Sequence, residues 1–444
     1  MTSATSVAQI GTRRRGQSAV VRSARHHSFG FWVAAAAFLV NMGFSAVPTP
    51  LYALYQQRDH FSTFMVTVVY AVYAIGVIGS LFLGGHVSDW VGRKRVFVPA
   101  LLINVVSALV FLFVPSLPGL LVARVISGIS VGLTTATATA YLAELHVGIF
   151  GSEPPRSPRR AQVVATAANL GGIGFGPLAA GLLAQFAPQP LRLPYIVFGG
   201  VLIVLALLVA ASPETAVRPE PAPAWRPQRL AVPPDARRAF FAATAAAVAS
   251  FAVFGVFNSL APSFLAGTLH EKSAAVAGAV AFAAFASGAL AQILLSRLGV
   301  NGTLRISMAI LTPGLALLIG GMWLPSLAMF VIGGVLTGAG AGLVFRGALV
   351  AAGAAALPES RAEVLSGFFL GAYVGLSVPV VGLGIATQYA PARDVMLVFV
   401  AIVVVALVAS IRAVIGPSST RKTRVLIADN AVLQSNPKTS TPGN

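Results

Sequence analysis

The sequence predicts an all-α integral membrane protein, with twelve transmembrane helices in two pseudo-symmetric six-helix bundles. Three observations carry this prediction. Of the 444 residues, 57% are hydrophobic and only 9% are charged, against roughly 25% charged in soluble chains. The charges stand far apart and leave uncharged runs such as 26–57, 60–88, 161–191 and 395–411, each near the ~20 residues a helix needs to cross a bilayer. Strings from the first half recur in the second. The runs are apolar all round, whereas membrane β-strands alternate in polarity every second residue.

Eleven such runs occur, and only 306–345 is twice too long, with Pro325 at its middle to turn the chain. With the amino terminus inside, the outward connections carry only Arg58, Arg192, Lys272 and Arg393, and 24 of the 30 basic residues lie inside. The positive-inside rule then places both termini in the cytoplasm, with the plasma membrane as the expected location. The net charge of +18 is therefore a topology signal, with anionic membrane lipid as its partner; no nucleic-acid partner is expected. The expected order is a basic tail over 1–28, a first bundle over 29–212, a Pro-rich cytoplasmic linker over 213–236, a second bundle over 237–415 and a disordered tail over 416–444.

Helix 1 carries Asn41 and the string VPTPLYALYQQ, in which Pro48 and Pro50 open the backbone ahead of Tyr52 and Tyr55. These tyrosines fit either a cavity wall or the aromatic belt at the interface. Helices 2 and 3 are joined by GGHVSDWVGRKR, residues 84–95. There Gly85 lets helices approach, Gly92 permits a tight turn, and Asp89 is placed to meet Arg93 four residues on or the positive end of a nearby helix. An ordinary inside loop accounts for Arg93, Lys94 and Arg95 but not for the aspartate or the glycines.

Helix 4 contains ARVISGISVG, with Arg124 within an apolar run and Gly128 and Gly132 after it. An intramembrane charge is costly unless it faces water or a partner, so Arg124 is a candidate site residue; the competing reading is snorkelling to the nearer surface. Helix 5 reads NLGGIGFGPLAAG from Asn169, and its Gly172, Gly176, Pro177 and Gly181 make a flat, bent face for close packing. The second half repeats these features. VLTGAGAGL from Val335 matches VISGISVGL from Val125, and Pro379 stands where Pro177 does, so the halves read as a duplication.

The three strings resemble motifs A, B and C of the major facilitator superfamily, in its drug-efflux branch. Gly85, Asp89, Gly92, Arg93 and Lys94 match motif A; Arg124, Gly128 and Gly132 match motif B; Gly172, Gly176, Pro177 and Gly181 match motif C, with Ala180-Gly181 where Gly-Gly is usual. The resemblance implies two bundles rocking around a midplane site, a small-molecule substrate, a monomer, no cofactor or metal, and a proton gradient as energy source. It also implies that Asp89 and Arg93, with Glu144, latch the cytoplasmic side shut in the outward-facing state.

Polar or aromatic residues in apolar helices form the candidate cavity: Asn41, Tyr52, Tyr55, Arg124, Asn169, Asn258, Gln292 and Tyr373. No Asp or Glu falls inside an apolar run, which argues against a pocket built for cations and favours neutral or anionic amphiphiles drawn by Arg124. The histidines lack metal-ligand spacing and no Walker loop occurs, so an enzyme or ATP-driven pump is not expected. The leading expectation is efflux by proton antiport. Facilitated or symport-type movement of a sugar or other metabolite is the alternative, and a non-transporting membrane sensor is the reading from another class.

Overall fold

The computed structural model describes residues 4–85, 87–150, 158–216, 232, 234, 236–356 and 361–415, with residues 4–24, 150, 158, 159, 361 and 362 described by backbone alone. Among these residues, twelve helices are long and apolar enough to cross a membrane. They are α1 (Arg25–Asp59), α2 (Thr63–Gly84), α3 (Arg93–Phe113), α4 (Leu117–Ile149), α5 (Arg160–Phe186), α6 (Leu193–Ala210), α7 (Arg237–Ser259), α8 (Ala274–Leu294), α9 (Val300–Trp323), α10 (Leu327–Ala354), α11 (Glu363–Ala386) and α12 (Ala392–Ile415). The expected fold class is the one observed. The double-length run divides at Leu324–Ser326, beside Pro325, where the Ser326 hydroxyl accepts from the Met329 N–H to start α10. Ser62 and Ser273 cap α2 and α8 in the same way. The basic segment expected as a tail has helical backbone from Ala4 that continues into α1.

Large apolar side chains point outward along the spans, among them Phe113, Leu207 and Val405, each more than two-thirds exposed. That is the inverse of a soluble surface and suits hydrocarbon. Inside, one core is built from α1–α6 together with Tyr373, Leu376 and Val380 of α11. The other is built from α7–α12, with Leu170 and Ile173 of α5 against it. Most of the linker (217–231, 233 and 235) and the tail from residue 416 lie outside the described residues.

The duplicated strings make the same contact in each bundle. A Cβ on Gly128 would stand 2.1 Å from the Tyr73 carbonyl of α2, and one on Gly132 would strike Ser80 and the Val77 carbonyl. In the second bundle a Cβ on Gly338 would stand 2.0 Å from the Ala284 carbonyl of α8, and one on Gly342 would meet Gly288. So α4 lies on α2 as α10 lies on α8, with backbones in contact because no side chain intervenes.

Among the described residues, three spans are interrupted. The first breaks at Val47 between Ala4–Ala46 and Pro48–Asp59, since Pro48 and Pro50 have no N–H to continue the ladder. Its counterpart α7 ends at Ser259 and resumes as a short helix, Ala261–Gly267, containing Pro262. In α5 a π-helical turn, Ala167–Gly171, precedes the segment Gly172–Phe186.

Candidate functional site

Arg124 is the largest of the side chains that are almost completely buried, at 2% exposure. The close approach of α4 to α2 puts it there: Gly128 lies one turn along, and a Cβ on Gly76 would be 2.2 Å from the Val125 carbonyl. Its guanidinium carbon therefore sits 4.5 Å from the ring centre of Tyr73 and 5.6 Å from that of Tyr70, within cation–π range. Nη1 donates to the backbone carbonyl of Ser45, beside the break in α1. Nε has no hydrogen-bond partner. Snorkelling would carry this group into water, and 2% exposure shows that it does not.

The immediate neighbours of Arg124 come from the first bundle, and the second bundle reaches the cluster through Tyr70 and Tyr73. Tyr52 lies near it, and Tyr70 has Tyr52, Tyr373 and the Asn258 side chain as neighbours as well as Arg124. Tyr373 of α11 packs edge-on against Phe251 of α7 with ring centres 5.7 Å apart. Asn258 accepts a bond from the Thr49 hydroxyl at its carbonyl (2.9 Å) and at its side-chain oxygen (3.1 Å). The breaks in α1 and α7 thus meet across the seam between bundles. At the same end Ser263 Oγ donates to Gln56 Oε1 at 3.2 Å, and the Ala274 N–H donates to Gln185 Oε1 at 3.2 Å. A Cβ on Gly384 of α11 would strike the Thr67 side chain of α2. The bundles are fastened at the end opposite the linker.

Two of the expected cavity residues make their hydrogen bonds inside the first bundle. Asn41 is fully buried; its Nδ2 donates to Ser130 (3.1 Å) and Thr134 (2.9 Å), and its Oδ1 accepts from Asn104 at 2.8 Å. The Tyr55 hydroxyl pairs with that of Tyr195 at 3.1 Å, behind a stacked Phe111. Asn169 is half-buried on the π-helical turn of α5. Gln292 is buried in α8, with Nε2 unpartnered. The structure gathers Tyr52, Arg124, Asn258 and Tyr373 and adds Ser45, Thr49, Tyr70 and Tyr73, which sequence reasoning missed.

The glycine strip of α5 serves two partners. Gly172 and Gly176 face α1, where Cβ atoms would be 2.5 Å from the Leu39 carbonyl and 1.9 Å from the Gly43 carbonyl. Pro177 and Gly181 face α8 across the seam: a Cβ on Gly278 would be 2.2 Å from the Pro177 carbonyl, and one on Gly181 would be 2.3 Å from that of Ala274.

At the linker end the Arg93 side chain collects acceptors. Nη2 donates to Glu144 Oε1 at 2.8 Å, Nη1 to Ser88 Oγ at 2.8 Å and also to Asp89. Its backbone N–H, an orphan donor at the start of α3, donates to Glu214 Oε1 at 2.8 Å. Glu214 fits because Gly92 holds a φ of 125°, and a Cβ there would be 2.7 Å from the Glu214 carboxylate. Thr215 donates to Glu144, and Lys94 Nζ donates to the carbonyls of Ala210 (3.2 Å) and Ser212 (3.1 Å) at the end of α6. Gly85 closes α2, its N–H bonding to the Leu81 carbonyl. These groups all belong to the first half and the start of the linker. The Asp89 side chain remains 61% exposed.

A further cavity of about 700 Å³ lies between α7, α11 and α12, lined by Val248, Ala252, Pro379, Leu383 and Val403, with Asp394 its one charged group. Val398 and Ile402 in its wall are outward-facing apolar residues of α12, so it opens toward lipid and not toward the polar cluster.

Two bundles of apolar helices joined around a buried polar cluster are the architecture of a multi-pass membrane protein. Residues 33–323, more than half of the chain, match the Major Facilitator Superfamily, and the chain belongs to that family. The fold is similar to that of a mutant of the nucleoside transporter NupG, with a TM-score of 0.68 at 15% identity over 87% of this chain and 99% of that one. An uncharacterized MFS-type transporter of Methanocaldococcus jannaschii is 26% identical over 190 residues, 41% of this chain and 44% of the relative. The match therefore spans less than half of that protein.

Proposed function

We propose that this transporter exports a small organic molecule from the cytoplasm across the plasma membrane, by alternating access of its two bundles. The observation that carries the reading is the asymmetry of the seam. Thr49–Asn258 and Gln56–Ser263 fasten one end, while the Arg93 cluster at the other closes on its own bundle and leaves Asp89 exposed. The basic linker end is the cytoplasmic one by the positive-inside rule, so the fastened end is the outer one. When the bundles rock, Asp89, paired with Arg93 in this arrangement but still exposed, is placed to engage the opposite bundle and hold the cytoplasmic side shut. The α5–α8 seam, with backbones in contact at Pro177 and Gly181, serves as the pivot. The glycine strip of α5 and the prolines of α1 support export.

We assign proton antiport as the energy source. A second reading, facilitated movement without protons, is favoured by one observation: among the described residues every Asp and Glu lies at the ends of the spans or between them. Inverted membrane vesicles separate the two. Uptake of a labelled lipophilic compound that raises a pH-dye signal, and that is lost when the proton gradient is collapsed, is the expected result. Uptake that survives the collapse makes the protein a facilitator, and absence of uptake across a broad panel overturns export.

A further inference from the structure

We infer that the site takes an organic anion, binding its carboxylate or equivalent charged group at Arg124 with its apolar body against the tyrosines. The inference deepens the transport reading and rests on it. A guanidinium held at 2% exposure has lost its hydration, at a cost of several kcal/mol that an ion inside a protein recovers only from a counter-charge and well-formed hydrogen bonds. The protein supplies part of that compensation: two tyrosine faces and one backbone carbonyl, that of Ser45. It supplies no carboxylate among the described residues of the span interiors.

One buried donor of this cluster, Nε of Arg124, is left without a partner, and the hydroxyl of Tyr70 nearby has the Asn258 side chain as its neighbour. Both are donors, and donors are what an anion requires. Buried polar groups are rarely left unpaired, so an orphaned donor on a buried cation that no carboxylate neutralises marks the place of an absent acceptor. The repeat sharpens the argument. The counterpart of Arg124 in the second bundle is Gly334, so the helix-on-helix packing that both bundles share does not need a charge. The cluster also lies where the bundles meet, under the Thr49–Asn258 closure, so a group bound there is shared between halves. The expected substrate class is an amphiphilic monoanion, an aromatic or aliphatic carboxylate of modest size.

The test is thermal stabilisation of the purified full-length protein by matched probes: benzoate, hexanoate and 2-naphthoate, each against its neutral amide, with 2-naphthylmethylamine as the cation. A ligand that binds the folded state raises the unfolding midpoint by mass action. The expected result is that at least one carboxylate stabilises the wild-type protein while its amide and the amine do not. The apparent Kd should weaken about 10- to 100-fold in Arg124→Gln, the loss of a charge-assisted hydrogen bond, and less in Arg124→Lys. Equal stabilisation by acid and amide, preference for the amine, or no response to any carboxylate overturns the inference, and the wild-type comparison decides it even if Arg124→Gln fails to fold. Because the readout is binding alone, an anion site without vesicle uptake would sink the transport reading instead, and uptake of neutral compounds only would sink this inference and leave that reading standing.

Discussion

A valine at Gly176 is expected to leave almost no folded protein in the membrane. The new Cβ would stand 1.9 Å from the Gly43 carbonyl oxygen and 2.9 Å from its Cα, so the clash is backbone on backbone and no rotamer relieves it. The helices must separate, which undoes the neighbouring contact of Gly172 with Leu39 as well. Overpacking of an ordinary core costs about 1–3 kcal/mol where side chains can shift; here they cannot, and membrane helices rely on this packing because lipid offers no hydrophobic gain from association. Gly200 of α6, which has nothing within 4 Å of its Cβ position, is the control: Gly200→Val should express normally. Monodisperse protein recovered by size-exclusion chromatography reads the difference. Equal yields of Gly176→Val and Gly200→Val would contradict the packing described.

The second large effect is expected from Arg93→Ala. This side chain is the one cation between Glu144, Asp89 and Ser88, while its own N–H binds Glu214. Without it Glu144 and Asp89 lose the cation they share at the α2–α3 turn. Breaking a fully buried pair costs about 3–5 kcal/mol; Glu144 keeps a third of its exposure, so about 2 kcal/mol is the reasonable scale. The unfolding midpoint should fall by about 2–5 °C, and proteolysis in the 85–95 turn should accelerate. Adding Glu144→Gln to Arg93→Ala should recover part of the loss, because it removes one of the charges that lost this cation. A double variant weaker than the single one would show that Glu144 is held by something other than Arg93.

Charge spacing made the spans readable, because a charge inside hydrocarbon is costly enough to mark almost every boundary; even the division at Pro325 followed. The small-residue repeats were readable too, and the structure gives them the same neighbours in each half. Sequence did not say which side of an apolar helix faces the seam. Asn41 and Tyr55 looked like cavity residues, yet a polar group inside a bundle is equally well satisfied by Ser130, Thr134 and Asn104, or by Tyr195. Tyr70 and Tyr73 were passed over because their partner, Arg124, is more than fifty residues away along the chain. Glu214 sits at the edge of a proline-rich stretch and looked like linker until its carboxylate met the first N–H of α3. The break in α7 carries a weaker sign in the sequence, a single Pro262 in place of the Pro48–Pro50 pair.

The central claim is that two rigid bundles rock about the α5–α8 seam, fastened at the end where Thr49 meets Asn258 and Gln56 meets Ser263. The chain has no cysteine, so spin labels can be placed at will. One pair at Val147 and Val350 spans the linker end, and one at Phe113 and Tyr389 spans the far end, all at exposed positions. Both distances should be measured by pulsed electron resonance in lipid nanodiscs, with and without Thr49→Val and Ser263→Ala, which remove the two hydroxyl donors at the far end. The account predicts reciprocal motion, the far-end distance lengthening as the linker-end distance shortens. A far end that opens while the linker end stays fixed, or two distances that grow together, would contradict it.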